Sequence, residues 1–258
     1  MTHPDLLTAT QASGVLTLTL GNGRAHALSL ALIDALHGAV RAAATDPEVR
    51  VIVIDGPGSI FCAGHDLKEI DRHRSDADGG AAYLTRLFEA CAQLMIALSQ
   101  SPKPTLARVA GIATAAGLQL VAACDLAYAA EEARFCLPGV RNGGFCTTPA
   151  VAVSRAVGRK ALMDLLLNGE DRDAAWALRS GLLTDVVPAA DLLARTEAVA
   201  LRLAARNPRA ITAGKTTTLA QHTEDLSTAY AMATPTMIGH FLDPERRAFE
   251  NTRFSSAD

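Results

Sequence analysis

"TAAGLQLVAACDLAY", residues 114–128, carries a strand-ending turn, a short apolar helix and the start of another strand within fifteen residues. Small residues at 114–117 let a ligand come close to the main chain, and a helix N-terminus offers unused N–H groups with a favourable dipole. One turn into the helix, where an acid would serve catalysis, stands Gln119.

Working outward, "PTLARVAG" before this unit reads as a strand, and "LAYAA" and "ARFCLP" after it read as a strand pair around "EE". Upstream, "GVLTLTL" alternates as a strand does. "RVIVIDG" is a continuous apolar run of the buried-strand type. Between them "LSLALIDALHGAVRAAATD" has helical spacing, with Ser29 placed as an N-cap. "DLKEI" opens a helical segment, "DRHRSDADGG" reads as a mobile loop, and "AAYLTRLFEACAQLMIALSQS" as a long amphipathic helix. Alternating strands and helices predict an α/β core. From about Thr148 the pattern turns helical, through "PAVAVSRAVG", "RKALMDLLLNG", "DAAWALRSG", "LLARTEAVALRLAAR" and "PRAITAGKTTTLAQ" to a last helix near "DPERRAFENTRF".

The 258 residues suffice for one large domain or two small ones with a substantial core. A net charge of −3 argues against a nucleic-acid partner, which would require a basic face. No apolar run reaches the length expected of a membrane span, so no membrane partner is expected. "MTHPDLLTAT" has neither a basic start nor an apolar signal core, which predicts a cytoplasmic protein. The five cysteines lack CxxC spacing and sit among apolar neighbours, the pattern of buried thiols rather than of disulfides or zinc ligands. Cys146, in "GFCTTP", is the one to weigh as a nucleophile, against the plainer role of a small packing residue.

"FCAGHDLKEI" (61–70) repeats the logic of the first stretch: a strand, small residues, then a helix start. Two such turns side by side point two N–H groups at one oxygen, forming an oxyanion hole that stabilises charge building on a carbonyl. Simple close packing of Gly and Ala turns has the same composition.

The two stretches resemble motifs of the enoyl-CoA hydratase/isomerase (crotonase) superfamily. "FCAGHDLKEI" is similar to its FxAGxDLKE motif and "VAGIATAAGLQLVAACDLAYA" to NGxxxGGGxELxxxCDxxxA. "RAHALSLALIDAL", "GEDRDAAWALRSGLLTDVVP" and "RRAFENTRF" resemble the family's opening, middle and closing segments in order, covering nearly the whole chain. The resemblance implies a ββα spiral core (crotonase, ClpP-like) over 1–195 with an acyl-CoA site, and a C-terminal helical trimerisation region over 196–258. A homotrimer or dimer of trimers follows by the same implication.

By that resemblance the hole's N–H donors fall at His65 and Ala116. The resemblance also implies an acyl-CoA or enoyl-CoA thioester as ligand, and no permanently bound cofactor or metal is expected. CoA contacts map to Arg24, Ala25, Ala27, Ala63, Asp66, Leu67 and Lys68, with Arg24 and Lys68 suited to phosphates. Phe249 and Arg253 map to the last helix, where a neighbouring subunit covers the nucleotide.

The departure is at the acids. The family's two glutamates align with Gln119 and Gly139. Glutamine can orient a water but cannot exchange a proton near neutral pH, and glycine can do neither. "LPGV" and "GFCTTPAVAVSRAV" resemble a narrower branch, the enoyl-CoA hydratase domain-containing proteins of the third mammalian type, which share Gln and Gly at these places. Among neighbours, Asp66 reads as a helix-start acid, Glu69 as a solvated one and Asp125 as a structural tie. Arg141 and Asn142 read as polar-tail contacts or loop caps. Three functions stay open: a hydratase/isomerase-class enzyme, a non-catalytic acyl-CoA binder or regulatory protein, and another reaction such as thioester hydrolysis or decarboxylation.

Overall fold

A computed structural model describes the backbone of residues 6–255 and the side chains of 6–252. A hairpin opens it: β1 (Leu7–Ala12) lies antiparallel to β2 (Val15–Leu20). Its connecting residues Ser13 and Gly14 have φ of 50° and 79°, as a two-residue type I′ turn requires. Helix α1 (Leu30–Thr45) follows, and Ser29 caps it by accepting from the Leu32 N–H.

Three successive passes then build the core. The first runs β3 (Val51–Gly56), β4 (Ile60–Cys62), α2 (Leu67–His73) and α3 (Ala81–Ser99). The second is β5 (Thr105–Val109), β6 (Ile112–Thr114) and α4 (Ala116–Ala123). The third is β7 (Leu126–Ala130), β8 (Arg134–Cys136), a 3-10 turn at Pro138–Asn142, and α5 (Thr147–Ala156). In each pass the first strand joins one sheet and the second joins another. The chain continues through α6 (Arg159–Asn168), β9 (Arg172–Asp173), α7 (Ala174–Ser180), β10 (Asp185–Val187) and α8 (Leu192–Ala204). The large sheet has the order β1-β2-β3-β5-β7-β10, parallel from β2 onward, and the small sheet β4-β6-β8-β9.

This corrects the expected pairing of "LAYAA" with "ARFCLP". β7 pairs with β5 and β10, while β8 pairs with β6 and β9 in the other sheet. The turn between them carries the chain from sheet to sheet instead of closing a hairpin. The expected loop at 71–80 is also more ordered. α2 reaches His73, whose ring stacks on Tyr83 at 3.9 Å, and Asp78 accepts from the N–H groups of Gly80 and Ala82. Those bonds hold the Asp78 carboxyl below its usual range.

α3 is long and apolar enough to cross a membrane by length and composition, contrary to the sequence expectation. Its Leu87, Cys91, Leu94, Met95 and Leu98 are buried in the core cluster formed with α1, α4 and the strands. Asp125 ties β5 to β7, accepting from the N–H and hydroxyl of Thr105, while its own N–H donates to that hydroxyl.

The chain divides into compact units after Ala204. The sequence-based division at 195/196 falls inside α8, whose Val199 and Ala200 are buried with Val51, Val53 and Leu106. The second unit holds α9 (Pro208–Gln221), α10 (Leu226–Leu242) and α11 (Pro244–Ser255). α10 escapes sequence reading because Pro235 sits inside it, where it removes a helix donor. Within this unit Thr217 and Thr236 hydroxyls meet at 2.8 Å, and Arg209 binds Asp243 and Glu245.

Gly117 is where the small sheet meets α4: a Cβ there would overlap the Cys62 carbonyl oxygen. Gly117→Ala therefore forces backbone apart and is expected to destabilise the protein by about 1–3 kcal/mol, read as a lower urea midpoint.

Candidate functional site

The first turn is held by a strand-like zip to the segment before α1. Ala63 N–H donates to Ala25 O at 2.9 Å, Leu28 N–H to Gly64 O at 2.8 Å, and Asp66 N–H to Leu28 O at 3.2 Å. Leu28 and His65 thus form a parallel bridge that uses the groups on either side of residue 65. The zip brings Arg24, Ala25 and Ala27 beside Ala63, Asp66, Leu67 and Lys68, so both sequence-derived sets of CoA contacts share one surface. Arg24 and Lys68 are exposed there, and Leu67 is 72% exposed.

Asp66 caps α2 through the N–H groups of Lys68 and Glu69. Glu69, read from sequence as a solvated acid, instead accepts from Leu30 N–H at 3.0 Å and locks α2 to the start of α1. Its role is structural.

The second turn depends on Ala115, the residue before α4, which has φ 52° and ψ −121°. A non-glycine residue there is strained. It is held from both sides: its N–H donates to Cys136 O at 3.0 Å and its carbonyl accepts from Gln119 N–H at 3.1 Å. With that carbonyl turned into the helix, the Ala116 N–H of the same peptide points out of the helix start. A Cβ built on Gly64 would lie 3.1 Å from Ala116 N, so the two turns touch at this point. Among the described residues neither the His65 nor the Ala116 N–H has a hydrogen-bond partner. Two adjacent, unused donors are the requirement of an oxyanion hole.

Two side chains on these turns bury polar atoms without partners. Gln119 is 4% exposed and its Oε1 has none among the described residues; nor has His65 Nε2. The His65 ring stands edge-on to Phe88 of α3, centroids 5.0 Å apart, and burial pushes its pKa down to about 4.

Gly139 is different in kind. A Cβ there would lie 2.6 Å from Cys146 N and 2.8 Å from the Phe145 carbonyl carbon, so main chain fills the direction in which a side chain would leave. Gly144 N–H also donates to Gly139 O at 2.9 Å. Cys146 precedes α5, and its thiol is raised by burial, partly offset by its bond to the Gly139 backbone, which leaves little thiolate. Arg141 donates to Gly169 O, a loop contact. Phe249 is exposed on α11 in the second unit, and the side chain of Arg253 lies outside the described residues. No group of His, Cys, Asp or Glu among the described residues could hold a metal.

Sequence reasoning missed the strain at Ala115, the Phe88 contact and the Glu69 tie. The first had a signal only in the resembled GGGxE pattern, where glycine occupies this place. The other two are long-range contacts without a local one.

Residues 10–253 match the enoyl-CoA hydratase/isomerase family, and the chain belongs to it. It is 40% identical over 237 residues to the mouse mitochondrial enoyl-CoA hydratase domain-containing protein 3, covering 92% of this chain and 77% of that one. Its crotonase fold is shared with solved relatives. An enoyl-CoA hydratase/isomerase family protein from Silicibacter pomeroyi is 56% identical, with TM-score 0.89 over 93% of this chain and 100% of the other. Human enoyl-CoA hydratase domain-containing protein 3 is 35% identical, with TM-score 0.90 over 97% of both. The mouse and human relatives are named as mitochondrial proteins, which overturns the expectation of a cytoplasmic one.

Ala115→Gly releases about 1–3 kcal/mol of strain against roughly 0.5–1 kcal/mol of added chain entropy. A net gain near ~1 kcal/mol is expected, seen as a raised Tm. His65 adds an acid sensitivity. Its folded pKa lies near 4 and its ordinary value is 6.5, so the unfolded chain binds the extra proton between them. The stability present above 6.5 falls as the pH drops toward 4, by about 3 kcal/mol at 1.36 kcal/mol per unit. Urea unfolding of His65→Phe, compared with the wild type at pH 7 and pH 4, is expected to lack that component.

Proposed function

We propose that the protein binds acyl-CoA thioesters and polarises the thioester carbonyl through the His65 and Ala116 N–H groups. The contact of Gly64 with Ala116 N, with both neighbouring donors unused, carries this reading. Arg24 and Lys68 hold the nucleotide phosphates, supported by Ala25, Ala27, Ala63, Asp66 and Leu67 along the zipped segments. CoA arrives as part of the ligand, and the protein needs no resident cofactor.

Two donors on one oxygen favour the enolate-like or tetrahedral state over the ground-state carbonyl, which lowers the barrier to reactions of either kind. Gln119 Oε1, buried and without a partner, accepts a hydrogen bond from a water or substrate hydroxyl. Hydration by a pair of glutamates is not available, since position 119 is an amide and position 139 has no room for a side chain. That sealed position favours, as the second reading, a non-catalytic acyl-CoA binder. We assign the assembly as a homotrimer or dimer of trimers formed through the second unit, whose α10 exposes Leu226, Tyr230, Met237, Ile238 and Phe241. Phe249 on α11 then serves a neighbouring copy's nucleotide.

The test is the ultraviolet spectrum of bound cinnamoyl-CoA. A red shift on binding, lost in Ala116→Pro, is the expected result. Proline at the first helical position removes the N–H in question, and a melting curve shows whether the variant is folded. Binding without a shift would leave a CoA site without a hole, and no binding would overturn the proposal.

A further inference from the structure

We infer that the His65 imidazole is the proton-transfer group of this site, carrying a proton to and from the carbon next to the thioester carbonyl. The inference rests on the oxyanion hole proposed above.

The geometry is set by covalent structure. The same residue supplies one N–H of the hole, so its ring cannot lie farther from the held carbonyl than one side chain allows. The ring stands edge-on to Phe88, centroids 5.0 Å apart, and a turn about its side-chain bonds carries Nε2 to a bound acyl chain. Its Nε2 is buried and lacks a partner among the described residues. Buried polar atoms are almost always paired, so an orphan on the residue that carries one of the unused donors marks a place for a ligand group. The second orphan, Gln119 Oε1, lies on the other turn and cannot itself move a proton.

The chemistry also fits. At a pKa of about 4 the imidazole is neutral in physiological buffer, with basicity near that of an ordinary glutamate at about 4.3. Burial alone lowers it; no charged side chain contributes among the described residues. The nearest acids in the chain are engaged elsewhere, Asp66 at the α2 cap and Glu69 on Leu30 N–H. From α3 the facing group is the apolar Phe88.

The step balances simply. Nε2, with the resting proton on Nδ1, takes the proton from C2 of the acyl chain. The C–H electron pair becomes the enolate π bond, and the carbonyl π pair moves onto the thioester oxygen held by the His65 and Ala116 N–H groups. Reprotonation of C2 by the imidazolium reverses it. In D2O the imidazolium exchanges with solvent and C2 gains deuterium, whatever net reaction the protein performs.

The experiment is deuterium incorporation at C2 of butyryl-CoA in D2O, followed by NMR, with butyryl-CoA binding measured calorimetrically on the same samples. The wild type is expected to exchange C2 well above buffer, with a rate that rises through pH 4 and is flat from 6 to 8. His65→Gln keeps the main-chain donor, and binding is expected to change less than about twofold, whereas exchange falls by about 100-fold or more. His65→Ala, with added imidazole, is expected to regain part of the exchange; a melting curve for each variant shows that it is folded. Exchange persisting in a folded His65→Gln, or absent from a wild type that binds butyryl-CoA, overturns this inference and leaves the binding site standing. Failure of the wild type to bind butyryl-CoA overturns the site itself.

Discussion

Main chain pressed against main chain, between the turn after β4 and the start of α4, is the constraint on which the rest of the site depends. Gly64 sits against Ala116 N, and Gly117 against the Cys62 carbonyl, with no room for a Cβ at Gly117 and a tight fit at Gly64. A side chain at position 117 would force the two backbones apart, and one at 64 would crowd them. The passes from large sheet to small sheet exist, in functional terms, to bring the two turns together. β4 and β6 are neighbours in the small sheet, and each leads into one of the turns. Parallel pairing makes both turns leave the sheet on the same side.

Such a contact must be held rigidly, and the holding is distributed. The zip between residues 25–28 and 63–66 fixes one turn. The carbonyl of Cys136, from the third pass, fixes the other by gripping the strained Ala115. Each pass therefore contributes to the geometry of a site built from the first two. Glu69 adds a further tether between α2 and α1. The strain at Ala115 is tolerable because hydrogen bonds on both of its peptide groups over-determine its conformation.

Much of this was legible in the sequence, and the illegible parts share a cause. Strands such as "RVIVIDG" and helices such as the one capped by Ser29 follow from local periodicity and capping chemistry. The two small-residue turns were visible as turns, and the motif resemblance assigned His65 and Ala116 to them. Three-residue strands such as β4, β6 and β8 carry too little pattern to fix their partners, and their sheet membership is a long-range fact. Hence the mistaken hairpin of β7 with β8. Gly139 reads in sequence as a missing acid; only the packing of Phe145 and Cys146 shows that the position is closed. The contact of the His65 ring with Phe88, 23 positions away, and its unpartnered Nε2 likewise leave no local signal in the sequence.

The absence of carboxylates alters the electrostatics of the hole as well as its inventory. A glutamate beside an oxyanion opposes the charge that the two N–H groups are arranged to stabilise. With Gln119 and Gly139 in the acids' places, neither position carries a carboxylate that would oppose such charge. Burial is what lowers the His65 pKa, and no carboxylate at 119 or 139 works against it. Negative charge developing on an oxygen held by the proposed hole would supply a partner for the protonated ring. In the proposed step, protonation of the imidazole would become more favourable as the enolate forms, so that the two charges arise together as a pair. In the proposed reaction the base is weak at rest and strengthens as charge develops, which differs from a standing carboxylate and places the imidazole and one donor of the hole on a single residue.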